Sequence, residues 1–381
     1  MRKTTSIAAV LAVCMALLSS TGSLFAQKAS ELTYHDVRES GLPVIGKGFE
    51  NCVRESDTIS DGFYTRLPAS IQGKVREAVW DLGQNSSGIA VRFRTNSKCI
   101  GARWKLLNNF GMAHMAATGV KGLDLYALDK DGKWKFAGTA QPNGKVSQNV
   151  FIRKMDGNMR EYIMYLPLYD GVVSLEIGID STAQLLAPAN GVLASTKGSI
   201  LFYGTSVTQG GCASRPGMSY TSIIERELQT PTINLGFSGN GRMDLIMAEE
   251  IAKVDAKAYV IDCLANCTAQ IVQDSTENFI RTIASAHPDR PVYMVSNYCY
   301  PYHWLDEQFR KDAQQENEIW YGFYKKFRAE GFKNIHYIDV YNDCRMEKSS
   351  IGPDNDATVD GVHMTDLGFL RFAKRLVPYL R

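Results

Sequence analysis

The sequence predicts two domains: an all-β sandwich of the jelly-roll type, followed by a three-layer α/β domain built on a parallel sheet. The chain has 381 residues, more than a single hydrophobic core usually serves. Its first half contains short candidate strands at even spacing, which is typical of a sandwich. Its second half alternates strands with amphipathic helices, and this alternation requires crossover connections and therefore a parallel sheet.

The first 26 residues have the pattern of a secretory signal peptide. Arg2 and Lys3 precede an apolar stretch at 7–18, and small residues then lead to Ala26. The apolar stretch is too short to span a bilayer, and we expect cleavage near Ala26. The mature protein is therefore expected to be secreted or periplasmic, with no stable insertion into a membrane.

The composition excludes several classes of protein. Hydrophobic residues make up 45% of the chain and charged residues 22%, as in globular proteins and unlike disordered or coiled-coil chains. Cleavage would remove Arg2 and Lys3, so the 42 basic residues would fall to 40, equal to the 40 acidic ones. With no basic run, a nucleic-acid partner is not expected, and a small-molecule, oligosaccharide or polysaccharide partner fits better. The oligomeric state is left open.

Seven cysteines remain after cleavage of the leader. They are Cys52, Cys99, Cys212, Cys263, Cys267, Cys299 and Cys344. An odd number leaves at least one free thiol. Cys52 with Cys99 and Cys212 with Cys267 are two hypothetical disulfides. Since the chain contains no C-x-x-C pair, we expect neither a metal nor another cofactor.

Residues 27–190 form the predicted sandwich. Its candidate strands are 89–95, 99–106, 123–129, 134–137, 161–166 and 173–179. The sequence Asp-Lys-Asp-Gly at 129–132 predicts a hairpin turn, because Asp and Gly tolerate positive φ. The stretch 187–191 is typical of a linker, and we place the domain boundary between residues 190 and 191.

Residues 191–381 form the predicted α/β domain. Its candidate strands are 199–203, 232–235, 258–263, 292–296 and 335–339, and its candidate helices lie near 219–228, 243–253, 275–285, 306–330 and 366–379. Ligands of such sheets bind at the carboxyl ends of the strands. The residues that directly follow each strand are therefore the candidates for a functional site.

A candidate nucleophile and a candidate base follow from these positions. Ser206 comes directly after the first strand of the second half, in Gly-Thr-Ser, where a tight turn can hold its hydroxyl in the cleft. Asp360 and His363 share one loop before the last helix, so the carboxylate can bond Nδ1–H while Nε2 faces outward. Taken singly, a turn serine and a surface histidine are more often structural. Together, the three residues supply a nucleophile, a base and an orienting acid.

Two further strand ends offer donors for an oxyanion. Gly239 lies in Gly-Phe-Ser-Gly-Asn after the second strand, and Asn266 lies in Leu-Ala-Asn after the third. Ser238 is a rival nucleophile, because it is also flanked by glycine at a strand end. We prefer Ser206, because Ser238 stands where an oxyanion donor is needed.

These residues resemble the blocks of the SGNH hydrolase superfamily, the GDSL-like lipases and acylhydrolases. The resemblance covers 199–379 and rests on Ser206, Gly239, Asn266 and the D-x-x-H block of Asp360 and His363, in the family's order. It implies that the serine attacks an ester, that the histidine is the base, and that the serine N–H, glycine N–H and asparagine amide bind the oxyanion. This chain departs from the family pattern at two places: Thr205 replaces the usual acid, and Cys267 follows the asparagine where the family has aspartate.

The first half resembles the sandwich that precedes certain bacterial SGNH esterases. The match is Gly-Leu-Asp-Leu-Tyr at 122–126, the family's G-x-D-L-Y motif, within about 30–185. In related carbohydrate esterases such a sandwich packs beside the catalytic domain. The stretch 110–115, which contains His114, is then either a wall of the cleft or an ordinary sandwich loop. The aromatic stretch 298–304 is either a platform for sugar rings or a cluster packed under a loop.

The residues and the resemblance together predict an exported serine esterase that works through an acyl-enzyme. Ser206 attacks, His363 relays the proton, Asp360 orients His363, and Gly239 with Asn266 stabilises the oxyanion. Export and the sandwich favour O-deacetylation of a carbohydrate. A lipase or lysophospholipase remains an alternative, because it uses the same residues. A non-catalytic carbohydrate-binding protein is a second alternative, although it leaves the ordered site residues unexplained.

Overall fold

The structure is a computed structural model, and it describes residues 29, 31–54, 62–189, 197–342 and 356–381. Three predictions lie outside these residues: the signal peptide at 1–26, the boundary between residues 190 and 191, and the state of Cys344.

The first half of the chain folds into two antiparallel sheets. Its strands are β1 Thr33–Asp36, β2 Val44–Ile45, β3 Ala90–Thr95, β4 Ile100–Leu106, β5 Leu123–Leu128, β6 Trp134–Ala140, β7 Val146–Ile152, β8 Arg160–Tyr165, β9 Val172–Ile179 and β10 Leu185–Leu186. One sheet has the order β1-β9-β4-β7, and the other has the order β10-β3-β8-β5-β6, with β2 also paired to β3. The predicted sandwich is confirmed.

Alternation along the strands builds the core of the sandwich. Val91 and Phe93 of β3 and Trp104 of β4 are buried between the sheets, because successive side chains of a strand point to opposite faces. The sequence prediction missed β1 and β7, because their polar residues interrupt the alternation of apolar and polar positions. It also missed β2 and β10, which have only two residues each.

Part of the first half packs against the second half rather than into the sandwich. Helices α1 Glu77–Gly83 and α2 Ala117–Lys121 and a 3₁₀ turn at Ala69–Ile71 lie between the strands. Leu67, Ile71 and Val79 are fully buried in the hydrophobic core that includes the parallel sheet. Apolar side chains from both halves of the chain therefore pack in one hydrophobic core.

The second half is an α/β unit with a five-stranded parallel sheet. Its strands are β11 Ile200–Gly204, β12 Thr232–Gly236, β13 Ala258–Asp262, β14 Val292–Val295 and β15 Ile335–Ile338, in the order β12-β11-β13-β14-β15. Its helices are α3 Ser206–Gln209, α4 Tyr220–Leu228, α5 Leu245–Ile251, α6 Ala269–Ala286, α7 Glu307–Ala329 and α8 Asp366–Leu380. Short 3₁₀ turns occur at Pro216–Met218 and Leu264–Asn266.

Helices cover both faces of this sheet. Ile200 and Phe202 of β11 pack in one core with α4 and α8, whereas Leu201 and Tyr203 pack in the other with α5, α6 and α7. A strand that is buried on both faces has a continuous run of apolar residues in its sequence. The predicted three-layer α/β/α arrangement is confirmed. The chain passes from β11 first to β12 on one side and then to β13 on the other side. The end of β11 is therefore the switch point where ligands bind in such sheets.

The G-x-D-L-Y segment of β5 joins the two halves. Asp124 is fully buried, and its Oδ2 accepts hydrogen bonds from Arg215 Nη1 at 2.6 Å and from the Gly217 N–H at 3.0 Å. The same guanidinium lies 2.6 Å from the Tyr126 hydroxyl. Burial raises the pKa of Asp124, and the Arg215 guanidinium opposes this rise. The acid and the tyrosine of the motif are thus interdomain contacts.

Candidate active site

A tight turn at the end of β11 presents Ser206. Thr205 caps α3, and its side-chain oxygen accepts a hydrogen bond from the Val207 N–H at 3.2 Å. A side chain at Gly204 would meet the Thr208 hydroxyl at 2.0 Å, so the strand can end this close to the helix only without a Cβ. Gly210, at φ 103°, ends α3 in the left-handed region. The turn leaves Ser206 only 6% exposed.

Ser206 and His363 meet although they lie far apart in the sequence. The Ser206 Oγ is 3.0 Å from His363 Nε2, and His363 Nδ1 is 2.7 Å from Asp360 Oδ2. Asp360 Oδ1 also accepts hydrogen bonds from the backbone N–H groups of Val362 and His363, at 3.0 and 2.8 Å. A carboxylate held by two backbone donors can fix the imidazole in the tautomer that carries its proton on Nδ1. Nε2 then faces the serine hydroxyl as an acceptor.

The charge of Asp360 is stabilised by its surroundings. Partial burial raises the pKa of this carboxyl, but the hydrogen bonds from the His363 ring and from the backbone of His363 and Val362 outweigh burial. The net result is a lowered pKa. Asp360 is therefore ionised at neutral pH, as a group that stabilises an imidazolium must be.

A second, buried acid lies under the nucleophile turn. Asp262 accepts hydrogen bonds from the hydroxyls of Tyr220 at 2.9 Å and Tyr298 at 2.7 Å, and the Thr208 hydroxyl is 3.4 Å away. Burial raises the pKa of Asp262 to about 6, although these hydroxyls oppose the rise. The Thr205 N–H in turn donates to the Thr208 hydroxyl at 3.2 Å. This network ties the turn to the end of β13.

The two predicted oxyanion donors lie on loops that contact the turn. The Phe237 N–H donates to the Gly204 carbonyl at 2.9 Å, and the Gly241 N–H donates to Asn266 Oδ1 at 3.3 Å. The second bond directs the amide oxygen of Asn266 toward the loop and leaves its NH₂ group for another acceptor. Gly239 adopts φ 68°. Among the described residues, the N–H groups of Ser206 and Gly239 have no acceptor.

Ser238 has other partners. Its N–H donates to Gln209 Oε1 at 3.0 Å, and its side chain hydrogen-bonds the Tyr169 hydroxyl. Of the two serines, Ser206 is the one whose hydroxyl lies next to the His363 ring.

The sandwich contributes side chains to this region. The His114 ring lies 5.7 Å, centroid to centroid, from the His363 ring, so the stretch at 110–115 borders the site. The Tyr169 hydroxyl donates to the Ser206 carbonyl at 3.3 Å. Arg76 binds Asn240 Oδ1 at 2.7 Å and Asp244 at 2.7 and 2.8 Å. Of these contributors, the sequence pointed only to His114, since nothing in the local pattern marks Arg76 or Tyr169.

The aromatic stretch after β14 divides into a buried part and an exposed part. Tyr298, Tyr300 and His303 are buried, whereas Trp304 is 75% exposed. Burial lowers the pKa of His303 to about 4. The ring of Tyr302 lies where a Cβ on Gly361, in the loop of Asp360 and His363, would meet it at 2.5 Å. The buried residues form the packed cluster, whereas a platform for sugar rings stays a prediction that now concerns the exposed Trp304.

Both hypothetical disulfides are absent from the described residues. None of the six described cysteines is joined to another in a disulfide. Cys267 Sγ lies 3.4 Å from the Cys263 carbonyl, and Cys52 Sγ lies 3.3 Å from the Phe49 carbonyl. Cys99 packs in a separate cluster with Ala29, Leu32 and Val150. Cys212 and Cys267 belong to different hydrophobic cores, so their nearness in the predicted fold did not bring the two thiols together.

None of the helices in the described part of the chain has the length and apolar character needed to cross a bilayer.

Comparisons with known proteins show which families and structures this chain is similar to. The profile of the GDSL-like lipase/acylhydrolase family matches residues 197–381, and that of the N-terminus of SGNH-hydrolase-type esterases matches residues 32–185. A protein from Bacteroides ovatus, described as a GDSL-like lipase, is 33% identical, with a TM-score of 0.81 over 92% of this chain and 97% of its own. A comparison with curated proteins finds no match.

Two more distant structures share the fold. A salicylyl-acyltransferase from a tetracycline biosynthetic pathway is 16% identical, with a TM-score of 0.69 over 91% of this chain and 95% of its own. A family two carbohydrate esterase from Cellvibrio japonicus is 10% identical, with a TM-score of 0.55 over 92% of this chain and 97% of its own.

Proposed function

The chain belongs to the GDSL-like lipase/acylhydrolase family, and from this premise we propose that it is a serine esterase whose nucleophile is Ser206. The observation that carries the proposal is the 3.0 Å contact between Ser206 Oγ and His363 Nε2, with His363 Nδ1 2.7 Å from Asp360. A nucleophile, a base and a group that orients the base are the parts that acyl transfer to a serine requires.

The reaction proceeds in two halves. The Ser206 oxygen attacks the ester carbonyl while His363 Nε2 takes its proton, and Asp360 stabilises the imidazolium that forms. The N–H groups of Ser206 and Gly239 and the amide of Asn266 donate to the oxyanion. The intermediate collapses, and His363 returns the proton to the leaving alcohol. Water, deprotonated by the same imidazole, then releases the acid from Ser206.

Replacement of the nucleophile tests this proposal. Ser206→Ala is expected to lower kcat on a short activated acetyl ester by roughly 10⁴-fold or more, because the attacking oxygen is lost. Ser238→Ala is the matched control, since Ser238 is also flanked by glycine at a strand end, and it is expected to retain most of its activity. Circular dichroism checks that both variants fold. Full turnover by Ser206→Ala, or loss of turnover only in Ser238→Ala, contradicts the assignment.

We propose an acetylated carbohydrate as the substrate. The exposed ring of Trp304 belongs to a stretch whose Tyr302 packs against the loop of Asp360 and His363, and aromatic faces stack on the apolar C–H faces of sugars. The near-equal numbers of basic and acidic residues suit a neutral ligand. The resemblance in fold to a family two carbohydrate esterase supports the same choice.

A comparison of substrates tests this choice. Acetate release from acetylated oligosaccharides is expected to be efficient, whereas fatty-acid release from long-chain esters is expected to be slow. Faster hydrolysis of the long-chain esters favours a lipase or lysophospholipase. Binding of glycans without any turnover that depends on Ser206 favours a carbohydrate-binding protein.

We also propose that the protein is exported after cleavage near Ala26, and that the mature chain divides into a sandwich domain at 27–190 and a catalytic domain at 191–381. The charged start, apolar stretch and small residues of 1–26 support export. Mass spectrometry of the protein from the periplasm or the culture medium tests the cleavage site.

A further inference from the structure

Three side chains beside the proposed nucleophile form a cluster that ester hydrolysis does not explain. His114 comes from the sandwich, Cys212 from the segment after α3, and His363 from the loop before α8. One potential ligand atom of each lies within 4.8 Å of those of the other two. Three separate segments, from both halves of the chain, thus place two imidazoles and a thiol around one point.

Two members of the cluster take part in packing but not in hydrogen bonds, since Cys212 lies in a hydrophobic core and the His114 ring contacts that of His363. Among the described residues, neither the His114 ring nor the Cys212 thiol has a hydrogen-bond partner. Cys212 is 7% exposed, and its backbone is held at φ 71°, a left-handed conformation that is unfavourable for a residue with a Cβ. The surrounding structure therefore keeps an unpartnered thiol next to the loop of Asp360 and His363.

The donor set suits a soft divalent cation. Zinc takes imidazole nitrogens at about 2.0–2.1 Å and thiolate sulfur at about 2.3 Å in tetrahedral geometry, which places ligand atoms roughly 3.5 Å apart. The cluster must contract by about 1 Å to reach this spacing. His114 can supply that movement because its side chain is exposed. A fourth position stays open to water.

We propose that His114, Cys212 and His363 bind a zinc-like divalent cation that reversibly switches the esterase off. His363 Nδ1 faces Asp360, so the lone pair available to the cation is that of Nε2. Nε2 is also the atom that accepts the proton of Ser206 in the proposed reaction. The Cys212 thiol releases its proton to solvent when it binds the cation. A bound cation therefore prevents His363 from acting as the base. A chelator that removes the cation restores the activity.

Inhibition by zinc is the first test. Zn²⁺ is expected to inhibit the unmodified enzyme, and a chelator is expected to reverse the inhibition. His114→Ala and Cys212→Ser are each expected to raise the half-inhibitory Zn²⁺ concentration by roughly 10-fold or more, with each variant measured against its own uninhibited rate. His336→Ala, at an exposed histidine on β15, is the matched control and keeps the original sensitivity. Equal sensitivity of all four proteins overturns the proposal.

Binding without turnover is the second test, and it separates this proposal from the proposed function. Ser206→Ala keeps all three ligands, and Co²⁺ added to it is expected to give a thiolate-to-cobalt charge-transfer band at one metal per chain. The band is expected to be lost in Ser206→Ala combined with Cys212→Ser, and Mg²⁺ is not expected to compete. If the band appears while the unmodified protein hydrolyses no ester, the cation site stands and the proposed function fails. Absence of the band in folded Ser206→Ala overturns the site.

Discussion

Thr205 shows how one residue can replace another that its family usually has. The family usually carries an acid before the nucleophile, and an acid side chain is a good helix cap. The Thr205 hydroxyl takes the Val207 N–H in the same way, and Thr205 is fully buried, where a carboxylate is costly to desolvate. The departure therefore preserves the cap and leaves the reacting groups unchanged.

The cap can be tested by removing only its oxygen. Thr205→Val keeps the shape of the side chain and is expected to lower the free energy of unfolding by about 1 kcal/mol. It is also expected to lower kcat, because the turn that holds Ser206 loosens. Thr205→Ser, which keeps the hydroxyl, is the control and should retain kcat. Chemical unfolding and steady-state kinetics measure both effects, and equal behaviour of the two variants contradicts this role.

At the scale of an element, a residue of the sandwich region holds the loop that contains Gly239, one of the proposed oxyanion donors. Arg76 precedes α1, and its guanidinium binds the side chain and carbonyl of Asn240 at 2.7 and 2.8 Å and both oxygens of Asp244. The hydrogen bonds to Asp244 raise the pKa of Arg76, although partial burial lowers it. Such a planar fork fixes both distance and direction. We therefore propose that Arg76 positions Gly239 through the neighbouring Asn240 and Asp244.

Arg76→Lys keeps the charge but removes the fork. We expect a kcat roughly 10-fold lower with little change in KM, because a displaced donor weakens binding of the transition state more than that of the substrate. Arg160→Lys is the matched control, since Arg160 forms a similar fork with Asp156 on the exposed surface. A KM effect without a kcat effect, or equal losses in both variants, rules out positioning.

The joint made by β5 belongs to the same scale. Asp124 bridges Arg215, Gly217 and the Thr139 hydroxyl, so the carboxylate has donors from both halves of the chain. A buried carboxylate without its partners is strongly destabilising. The acid of the motif therefore helps to hold the two halves together. Gly122 permits the close approach of the Thr118 and Ala140 carbonyls, which a Cβ would meet at 2.6 and 3.0 Å.

At the scale of the whole molecule, buried acids with raised pKa values influence how stability depends on pH, and Asp124 is joined by three others. Burial raises the pKa of Glu225 to about 7, of Asp262 to about 6 and of Glu316 to about 7. Between pH 4 and pH 7 the folded protein therefore holds protons that the unfolded chain has released. Stability from these groups falls as the pH rises through this window. The lowered pKa of Asp360 acts in the opposite direction below pH 4. The lowered pKa of His303, about 4 instead of 6.5, also acts in the opposite direction, between about pH 4 and pH 6.5, and offsets part of the effect of the acids.

We expect the midpoint of urea unfolding to be higher at pH 5 than at pH 8. Glu316→Gln should flatten this dependence by roughly 2–3 kcal/mol, because the titrating carboxyl is lost. The amide oxygen can still accept the hydrogen bond that Asn297 donates to Glu316 at 2.7 Å. Glu318→Gln, on the exposed side of the same helix, is the control. An identical pH slope in the unmodified protein and in Glu316→Gln argues against this origin.

Local patterns predicted much of the fold. The five strands of the parallel sheet lie within a residue or two of their predicted positions, because a buried parallel strand is a continuous apolar run between turns. Ser206 was a candidate because it directly follows β11, at the edge of the sheet where ligands bind. Asp360 and His363 were candidates because an acid and an imidazole three residues apart share the loop before α8.

The sequence by itself determined the two fold classes, which depend on periodicity. It also determined the candidate nucleophile, which depends on position at the end of a strand, and the candidate base and acid, which depend on spacing within one loop. Only the tertiary structure decided that Arg76 holds the loop of Gly239, that His114 and Cys212 lie beside His363, and that the two hypothetical disulfides are absent. These contacts join residues from different sheets and loops, and their distances depend on how the two halves pack. This packing depends on many weak contacts between residues that are distant in the sequence, so it cannot be inferred from any short stretch of the chain.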